Sequence, residues 1–469
     1  MDRPNVFLIY TDQQRWDCLG VHGHPLAVTP HIDRLAGEGV DFRNAFCTVP
    51  LCTPARASLL SGVWPSEHLS ITNWDTEAPR PLRDGLPVFP QMLREAGYYL
   101  GYVGKWHVHS EQDPTHFGFH DYVPESDYFR WREQEGLPPQ PMNNSWFGET
   151  DWGIRPDQTR LAWGADHILR LLAERTQCDR PFFLRWDPWE PHLPNVVPEP
   201  YASLYNPADI EPWDNWEEAF VNKPYAQRNQ LHNWDIQDWR WEDWAPIVAR
   251  YLGEITLLDA QIGRILAYLA ASGLAERTLV VFTSDHGDMC GSHRMIDKHF
   301  VMYEEVVRVP LIMRWSGVLP AGVVCNDFVS NSLDLAATFC SAGTGAVPSG
   351  FSGLDLLPAA ALAPDRVRRD DIFVPYYGNQ FGLYSQRMVR DTRWKYVWNA
   401  SAEDELYDLD DDPAELCNLA AFSSYNHELA RLRARLVAWM ETTDDRLLNP
   451  WTRRALLGAQ TGQLVPAFP

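Results

Sequence analysis

Four polar side chains stand directly after apolar runs that read as β-strands: Asp12 after Asn5–Thr11, Lys105 and His107 after 98–103, and Asp285 after 279–284. In an open α/β sheet, ligands bind in the crevice beyond the carboxyl ends of the strands, so these residues can converge although they lie far apart in sequence. Asp12 and Asp285 are hard oxygen donors suited to a divalent cation, and each taken singly is equally a helix cap. The sharpest local pattern is L-C-T-P-A-R-A-S-L-L-S-G, residues 51–62. Thr53 suits a helix N-cap, Pro54 the first helical position and Gly62 the stop, which leaves Cys52 just outside a helix N-terminus. The helix dipole there favours a thiolate by roughly 0.3–1 kcal/mol, less than one pKa unit. A cysteine nucleophile also needs a nearby base and a route for releasing its adduct. The stretch taken alone therefore fits a buried structural cysteine as well as a reactive one.

The elements that must hold these residues are legible over the first three quarters of the chain. Strands rich in Val, Ile, Phe and Tyr alternate with helical patterns, the mark of a mostly parallel sheet covered by helices. The spacing predicts helices over 87–96, closing at Gly97, and over 160–174, followed by a strand over 181–186. The clearest helix spans 246–271, with Leu252, Ile255, Leu258, Ile262, Ile265 and Leu269 on one stripe and Gly273 as its stop. After about residue 365 the composition shifts: strand-like pieces at 372–377, 387–389 and 394–399 precede D-E-L-Y-D-L-D-D-D-P and a helix over 425–440. This reads as a smaller α+β unit, 366–469, packed against a main α/β domain, 1–365.

Composition sets the outer limits. With 45% hydrophobic and 22% charged residues, the 469-residue chain is a packed globular protein rather than a disordered or fibrous one. A net charge of −23 repels nucleic-acid phosphates and anionic membranes, so neither is an expected partner. The eight cysteines form no C-x-x-C pair and no dense framework, and no run of 18 apolar residues predicts a membrane span. The opening M-D-R-P-N-V-F-L-I-Y-T-D has too short an apolar run for a signal peptide, so the expected compartment is the cytoplasm.

Cys52-Thr53-Pro54-Ala55-Arg56, continuing to Leu60-Ser61-Gly62, resembles the signature of the sulfatase family within the alkaline phosphatase superfamily. In that family the cysteine of C-x-P-x-R is oxidised after translation to formylglycine. Ala55 stands where Ser is more frequent, while the C-x-P-x-R core is intact. Further motifs follow in family order: N-V-F-L-I-Y-T-D-Q-Q-R-W-D-C-L-G at the start, T-P-H-I-D-R-L-A-G-E-G-V-D-F, G-K-W-H at 104–107, P-H-L-P at 191–194, T-S-D-H-G-D at 283–288, R-V-P-L at 308–311 and E-L-Y-D-L-D-D-D-P-A-E at 405–415. The resemblance spans nearly the whole chain and is weakest at 122–180 and 200–246. It implies a large mixed, mostly parallel sheet sandwiched by helices, and an antiparallel sheet in the C-terminal subdomain.

The resemblance also implies a site. One divalent cation would sit on Asp12, Gln13, Cys52 in its oxidised form, Asp285 and His286. Gln13 stands where many relatives carry a second Asp and His286 where some carry Asn, so the ligand charge falls and a nitrogen donor is added, which suits Mn²⁺ as well as Ca²⁺. Arg56, one helical turn beyond Cys52, would balance the anion. Lys105, His107, His192 and Lys298 match positions around the ester, with His192 or Lys298 protonating the leaving alcohol and a base such as His107 helping release sulfate. His293, His299 and Asp288 lie near the same loop without an assigned role. The implied partners are a small anionic ester as substrate and a formylglycine-generating enzyme for maturation.

Six of the 21 Trp fall within the insertion at about 200–246, at 213, 216, 234, 239, 241 and 244. They serve either as a stacking platform for a sugar or aryl group or as packing against the main domain. The leading expectation is a sulfate monoester hydrolase for a carbohydrate, aryl or alkyl ester. A phosphonate monoester or phosphodiester hydrolase of the same superfamily is the second, and a non-catalytic sulfate- or glycan-binding protein the third.

Overall fold

The computed structural model describes residues 3–74, 82–143, 145–176, 178–379 and 382–458. Its centre is an eight-stranded sheet with the spatial order Val323–Cys325, Val40–Phe42, Leu311–Arg314, Thr278–Ser284, Asn5–Thr11, Phe182–Asp187, Tyr99–Gly104 and Asp121–Pro124. Leu311–Arg314 runs antiparallel to both of its neighbours, and every other pairing in the sheet is parallel. The expected mixed, mostly parallel sheet is therefore what forms.

Strand Asn5–Thr11 shows why. All seven of its residues are buried. Val6, Leu8 and Tyr10 enter one apolar cluster, with Ala57, Leu59 and Leu60 of the Cys52–Ser61 helix and Leu335 and Phe339 of the Asn331–Thr344 helix. Phe7 and Ile9 enter the other, with Leu35 of Pro30–Gly37, Leu161 and Ile168 of Arg160–Thr176 and the stripe of Trp241–Ala271. Alternate residues thus serve opposite cores, the period-two pattern of a strand covered on both faces. Each fully buried Leu, Ile or Phe contributes about 1.5–3 kcal/mol.

The long helix begins at Trp241, five residues ahead of the expected start, and Pro246 lies within it. Its stripe of Leu252, Ile255, Leu258, Ile262, Ile265 and Leu269 is buried as expected. Gly273 ends it at φ 71°, with Leu274 N donating to Leu269 O at 3.0 Å. The chain then enters Thr278–Ser284 and delivers Asp285 to the sheet edge.

Toward the C-terminus a separate antiparallel sheet joins Ile372–Asn379, Gly382–Arg390, Trp394–Asn399 and Glu405–Asp408 in sequence order. Helix Asn426–Thr442 covers one face through Leu429, Leu432, Leu436 and Met440. Val374, Tyr376, Met388 and Val397 on the other face join the main core. Among the described residues no helix is long and apolar enough to cross a membrane.

Candidate active site

Four strands adjacent in the sheet end side by side: Thr278–Ser284, Asn5–Thr11, Phe182–Asp187 and Tyr99–Gly104. Thr11 pairs with Ser284 and Gly104 with Asp187, so Asp285, Asp12, Asp187 and Lys105 form one row along the carboxyl edge. The Cys52–Ser61 helix meets this row with all ten residues buried. It starts two residues earlier than its composition suggests. Leu51, extended at φ −161° and ψ 133°, is the cap, and Thr53 N donates to Asn73 Oδ1 at 3.1 Å instead of Thr53 serving as the cap. Cys52 is therefore inside the first turn, four residues from Arg56 and on the same face.

Cys52 Sγ lies 3.2 Å from His286 Nε2 and 3.6 Å from Asp12 Oδ1. One potential ligand atom from each of Asp12, Cys52, Asp285 and His286 falls within 4.8 Å of the others, and all four residues are buried. His286 Nδ1 donates to Gly287 O at 2.9 Å, which assigns the hydrogen to Nδ1 and leaves the Nε2 lone pair facing Cys52. Gln13 joins the group from a left-handed backbone, φ 65°. Its N donates to Asp285 Oδ1 at 3.1 Å, its Nε2 donates to Asp288, and its Oε1 accepts from Lys298 Nζ at 2.6 Å. Two carboxylates, an amide oxygen and an imidazole nitrogen make a donor set that fits a divalent cation.

Three basic side chains are buried around this group. Arg56 donates to Asp187 Oδ2 at 2.6 Å, to Asp12 Oδ2 at 2.9 Å and, through Nε, to Asp285 Oδ2 at 3.1 Å. Its guanidinium thus joins the strand-end carboxylates beneath the cysteine. Lys105 Nζ is 2.6 Å from Asp12 Oδ2, and Lys298 Nζ is 3.0 Å from both Asp297 Oδ1 and His192 Nε2. His107 Nδ1 is 3.4 Å from Thr53 Oγ1. Removing an ion from water costs several kcal/mol, so such a site is stable only with opposite charges interleaved.

That interleaving sets the protonation states. Burial, reinforced by Asp12, pushes the Cys52 thiol up to about 12, which outweighs the helix dipole and leaves the unmodified residue a protonated thiol. Burial, and next Lys105, holds His107 well below the ordinary imidazole range; burial, and next Lys298, does the same to His192. Burial also opposes the charged forms of Asp12 and Lys298. Lys105 and Arg56 nevertheless keep Asp12 well below the usual carboxylate range, while Asp297 and Asp12 hold Lys298 above the usual lysine range.

The ten residues assigned to the site, Asp12, Gln13, Cys52, Arg56, Lys105, His107, His192, Asp285, His286 and Lys298, therefore meet in one cluster, His107 and His192 half-buried and the others buried. His293 does not. Its Nδ1 is 2.8 Å from Glu218 Oε2 and its ring stacks 3.8 Å from that of Tyr303. Asp187 was missed, although it closes a strand as Asp12 and Asp285 follow theirs, and the same strand-end rule identifies it. Asn73 and Trp189 carry no comparable signal.

The Trp-rich insertion packs. Trp213 Nε1 donates to Cys290 O at 2.8 Å beneath Arg15, whose Cζ is 4.2 Å from the ring centre. Trp241 Nε1 donates to Ile210 O at 2.6 Å, and Trp239 packs tilted against Phe147 and edge-on to Trp244. None of the six indoles is exposed; the outer edges of Trp216, Trp239 and Trp241 line a surface recess of about 370 Å³.

A row of carboxylates at a sheet edge, a helix-borne cysteine and buried cations define an α/β enzyme of the kind that holds an anionic ester. The sulfatase family model matches residues 4–345, and the model for the C-terminal region of N-sulphoglucosamine sulphohydrolase matches 291–442. The chain belongs to the sulfatase family of the alkaline phosphatase superfamily and is a sulfuric ester hydrolase, acting on a sulfate ester. It is 28% identical to an arylsulfatase of Clostridium perfringens, over 94% of this chain and 95% of that protein. It is 26% identical to an N-acetylglucosamine-6-O-sulfatase of Bacteroides thetaiotaomicron, over 94% and 86%. Among solved structures, the phosphonate monoester hydrolase of Agrobacterium radiobacter superposes with a TM-score of 0.81 at 28% identity, covering 94% of this chain and 96% of that one.

Proposed function

We propose that this chain hydrolyses a sulfate monoester of a carbohydrate or of an aryl or alkyl alcohol, using a formylglycine made from Cys52 and one divalent cation, Ca²⁺ or Mn²⁺. The observation that carries the reading is the burial of Cys52 Sγ 3.2 Å from His286 Nε2 and 3.6 Å from Asp12 Oδ1, beside Arg56, Lys105 and Lys298. Asp12, Gln13, Asp285, His286 and the oxidised residue 52 would hold the cation. When present, the cation supplies a Lewis acid for the ester oxygens, and the hydrated aldehyde at position 52 supplies an oxygen nucleophile and a later exit for sulfate.

The chain's own side chains do the rest. Arg56 keeps Asp12, Asp187 and Asp285 paired below the reacting residue. Lys105 and Lys298 donate hydrogen bonds to ester oxygens as charge grows on them, a role in which losing one donor typically costs roughly 10²–10³ in rate. Lys298 and His192, 3.0 Å apart, hold the proton that the leaving alcohol takes. His107, neutral and beside Thr53, accepts the proton from residue 52 that frees the product. We assign this machinery to a catalytic domain of residues 1–365, with 366–469 as the C-terminal subdomain. A formylglycine-generating enzyme is the maturation partner, in the cytoplasm, which cell fractionation tests.

One observation favours a second reading, a phosphonate monoester or phosphodiester hydrolase: the superposition on the Agrobacterium radiobacter enzyme at a TM-score of 0.81. The deciding experiment is expression with a formylglycine-generating enzyme, followed by the mass of the peptide carrying residue 52 and kcat/KM for matched 4-nitrophenyl sulfate and phenylphosphonate esters. The aldehyde mass with faster sulfate turnover supports the first reading, and faster phosphonate turnover replaces it with the second. An unmodified Cys52 in a fully active enzyme would sink the formylglycine mechanism.

A further inference from the structure

We propose that Trp189 is a positioning residue, whose indole and backbone hold Lys105 and His192 at the reacting centre and are themselves braced by the Arg160–Glu190 pair.

The segment after strand Phe182–Asp187 turns sharply to bring His192 to the site, and Trp189 closes that turn three ways. His192 N donates to Trp189 O at 3.1 Å, Trp189 Nε1 donates to Leu193 O at 3.2 Å, and the indole lies 4.8 Å from the His192 ring, tilted by 58°. Leu193 O also meets His192 Nδ1 at 2.6 Å, so one carbonyl ties the indole and the imidazole together and directs Nε2 toward Lys298. The same indole receives Lys105, whose Nζ is 3.9 Å from its ring centre. A lysine has a flexible four-carbon stem and three donors that rotate freely, so a single carboxylate such as Asp12 leaves much of its geometry open. A π-face at van der Waals distance removes part of that freedom and is electrostatically attractive.

Trp189 is in turn fixed from a different element. Arg160, the first residue of helix Arg160–Thr176, has its Cζ 5.3 Å from the Trp189 ring centre, and its Nε donates to Glu190 Oε1 at 2.9 Å. Arg160 and Glu190 are both largely buried, with side-chain exposures of 15% and 8%. The pair therefore braces the indole from a second element, and Glu190 lies in the same turn as His192. The charge on Lys105 and the ring of His192 thus share one aromatic surface, and a side chain without an aromatic face would free both.

This inference rests on the reading of Lys105 as an ester-binding cation. The test is a double-mutant cycle on the mature enzyme with 4-nitrophenyl sulfate. In the presence of Lys105, Trp189→Leu is expected to lower kcat/KM about tenfold, within the range of a partly desolvated cation–π contact, and Trp189→Phe to regain most of the loss. In the Lys105→Ala background the same Leu substitution is expected to cost clearly less, because one of the two side chains the indole holds is already gone and only the His192 contacts remain to be lost. Equal costs in both backgrounds, or equal losses for Phe and Leu, overturn the proposal. Trp189→Met, run in parallel with melting curves, carries the same cycle if the Leu variant does not fold. A fully active Lys105→Ala single variant would instead remove the underlying reading of Lys105, and it is recognised before any Trp189 variant is compared.

Discussion

The Arg56 guanidinium and the Asp187 carboxylate meet at 2.6 Å with neither side chain exposed. Asp187 also accepts from Arg185 Nε and Nη2 at 2.6 Å each and from the Tyr102 hydroxyl at 2.9 Å. One carboxylate therefore anchors both guanidiniums that lie under the catalytic cluster. Asp187→Ala leaves them short of a partner in a dry interior, a loss of roughly 3–5 kcal/mol. We expect a clear fall in the urea midpoint and a loss of at least about 10² in kcat, the scale of removing one electrostatic donor. Asp187→Asn, which keeps the shape but not the charge, should fall between. A well-folded Asp187→Ala enzyme with unchanged kcat would show that Arg56 needs only Asp12 and Asp285.

Cation binding is expected to be visible without turnover. A ligand that binds only the folded state raises stability with its concentration, so chelator treatment should lower Tm, and Ca²⁺ or Mn²⁺ should restore it in a concentration-dependent manner. His286→Ala removes the nitrogen donor that faces Cys52 and should shift that dependence to higher cation concentration. If chelation leaves the wild-type Tm unchanged and added cation does nothing, the five-residue donor set does not hold a metal.

A pH-dependent stability term is built into the outer helices. Asp259 of helix Trp241–Ala271 accepts from Ile32 N at 2.7 Å and from His31 N at 3.1 Å, capping helix Pro30–Gly37. Burial raises its carboxyl from 3.8 to about 7, against the opposing backbone donors. A folded-state value above the unfolded one means that the native state binds the extra proton, so stability is highest below about pH 4 for this group and declines as pH rises toward 7. Asp259→Asn should remove that decline. Its Tm relative to wild type is expected to climb from pH 4.5 to pH 8 and then level off, by an amount corresponding to at most about 4 kcal/mol. A difference that stays constant with pH contradicts the assignment.

Trp241 tests the packing role of the insertion. Its indole is bonded to Ile210 O and set edge-on to Trp216 at 5.2 Å. Trp241→Ala should cost about 3 kcal/mol of stability, at the lower end for a large aromatic because the ring is only partly buried. It should change kcat/KM for a sugar sulfate and for 4-nitrophenyl sulfate by similar factors. A selective rise in KM for the sugar ester would restore the stacking platform.

Much of this architecture is local enough to read along the chain. Asn5–Thr11 and Trp394–Asn399 are strands over the expected residues, because an uninterrupted apolar run or a β-rich one bounded by polar residues admits few alternatives. The 246–271 stripe identified the long helix but not its start, since the helix opens ahead of the stripe at a cap in which Asp243 accepts from Arg240 N at 2.9 Å. The site was legible for the residues carried by motifs: Asp12, Cys52, Arg56, Lys105, His192, Asp285 and Lys298 meet where the strand-end rule and the family resemblance put them.

Two things were decided only in three dimensions. The protonation of Cys52 depends on how completely the sheet edge and its neighbours exclude water, and burial reverses the small preference that its helix terminus implies. The partners of Arg56, the tautomer of His286 and the enclosure of Lys105 by Trp189 depend on which strands lie side by side, and that order, 278–284, 5–11, 182–187, 99–104, bears no relation to order along the chain. Sequence by itself determined the residue types, the periodicities and the family. Folding determined which charges neutralise which, because electrostatic energy depends on separation and on surrounding dielectric, and neither quantity exists until the chain has closed around the site.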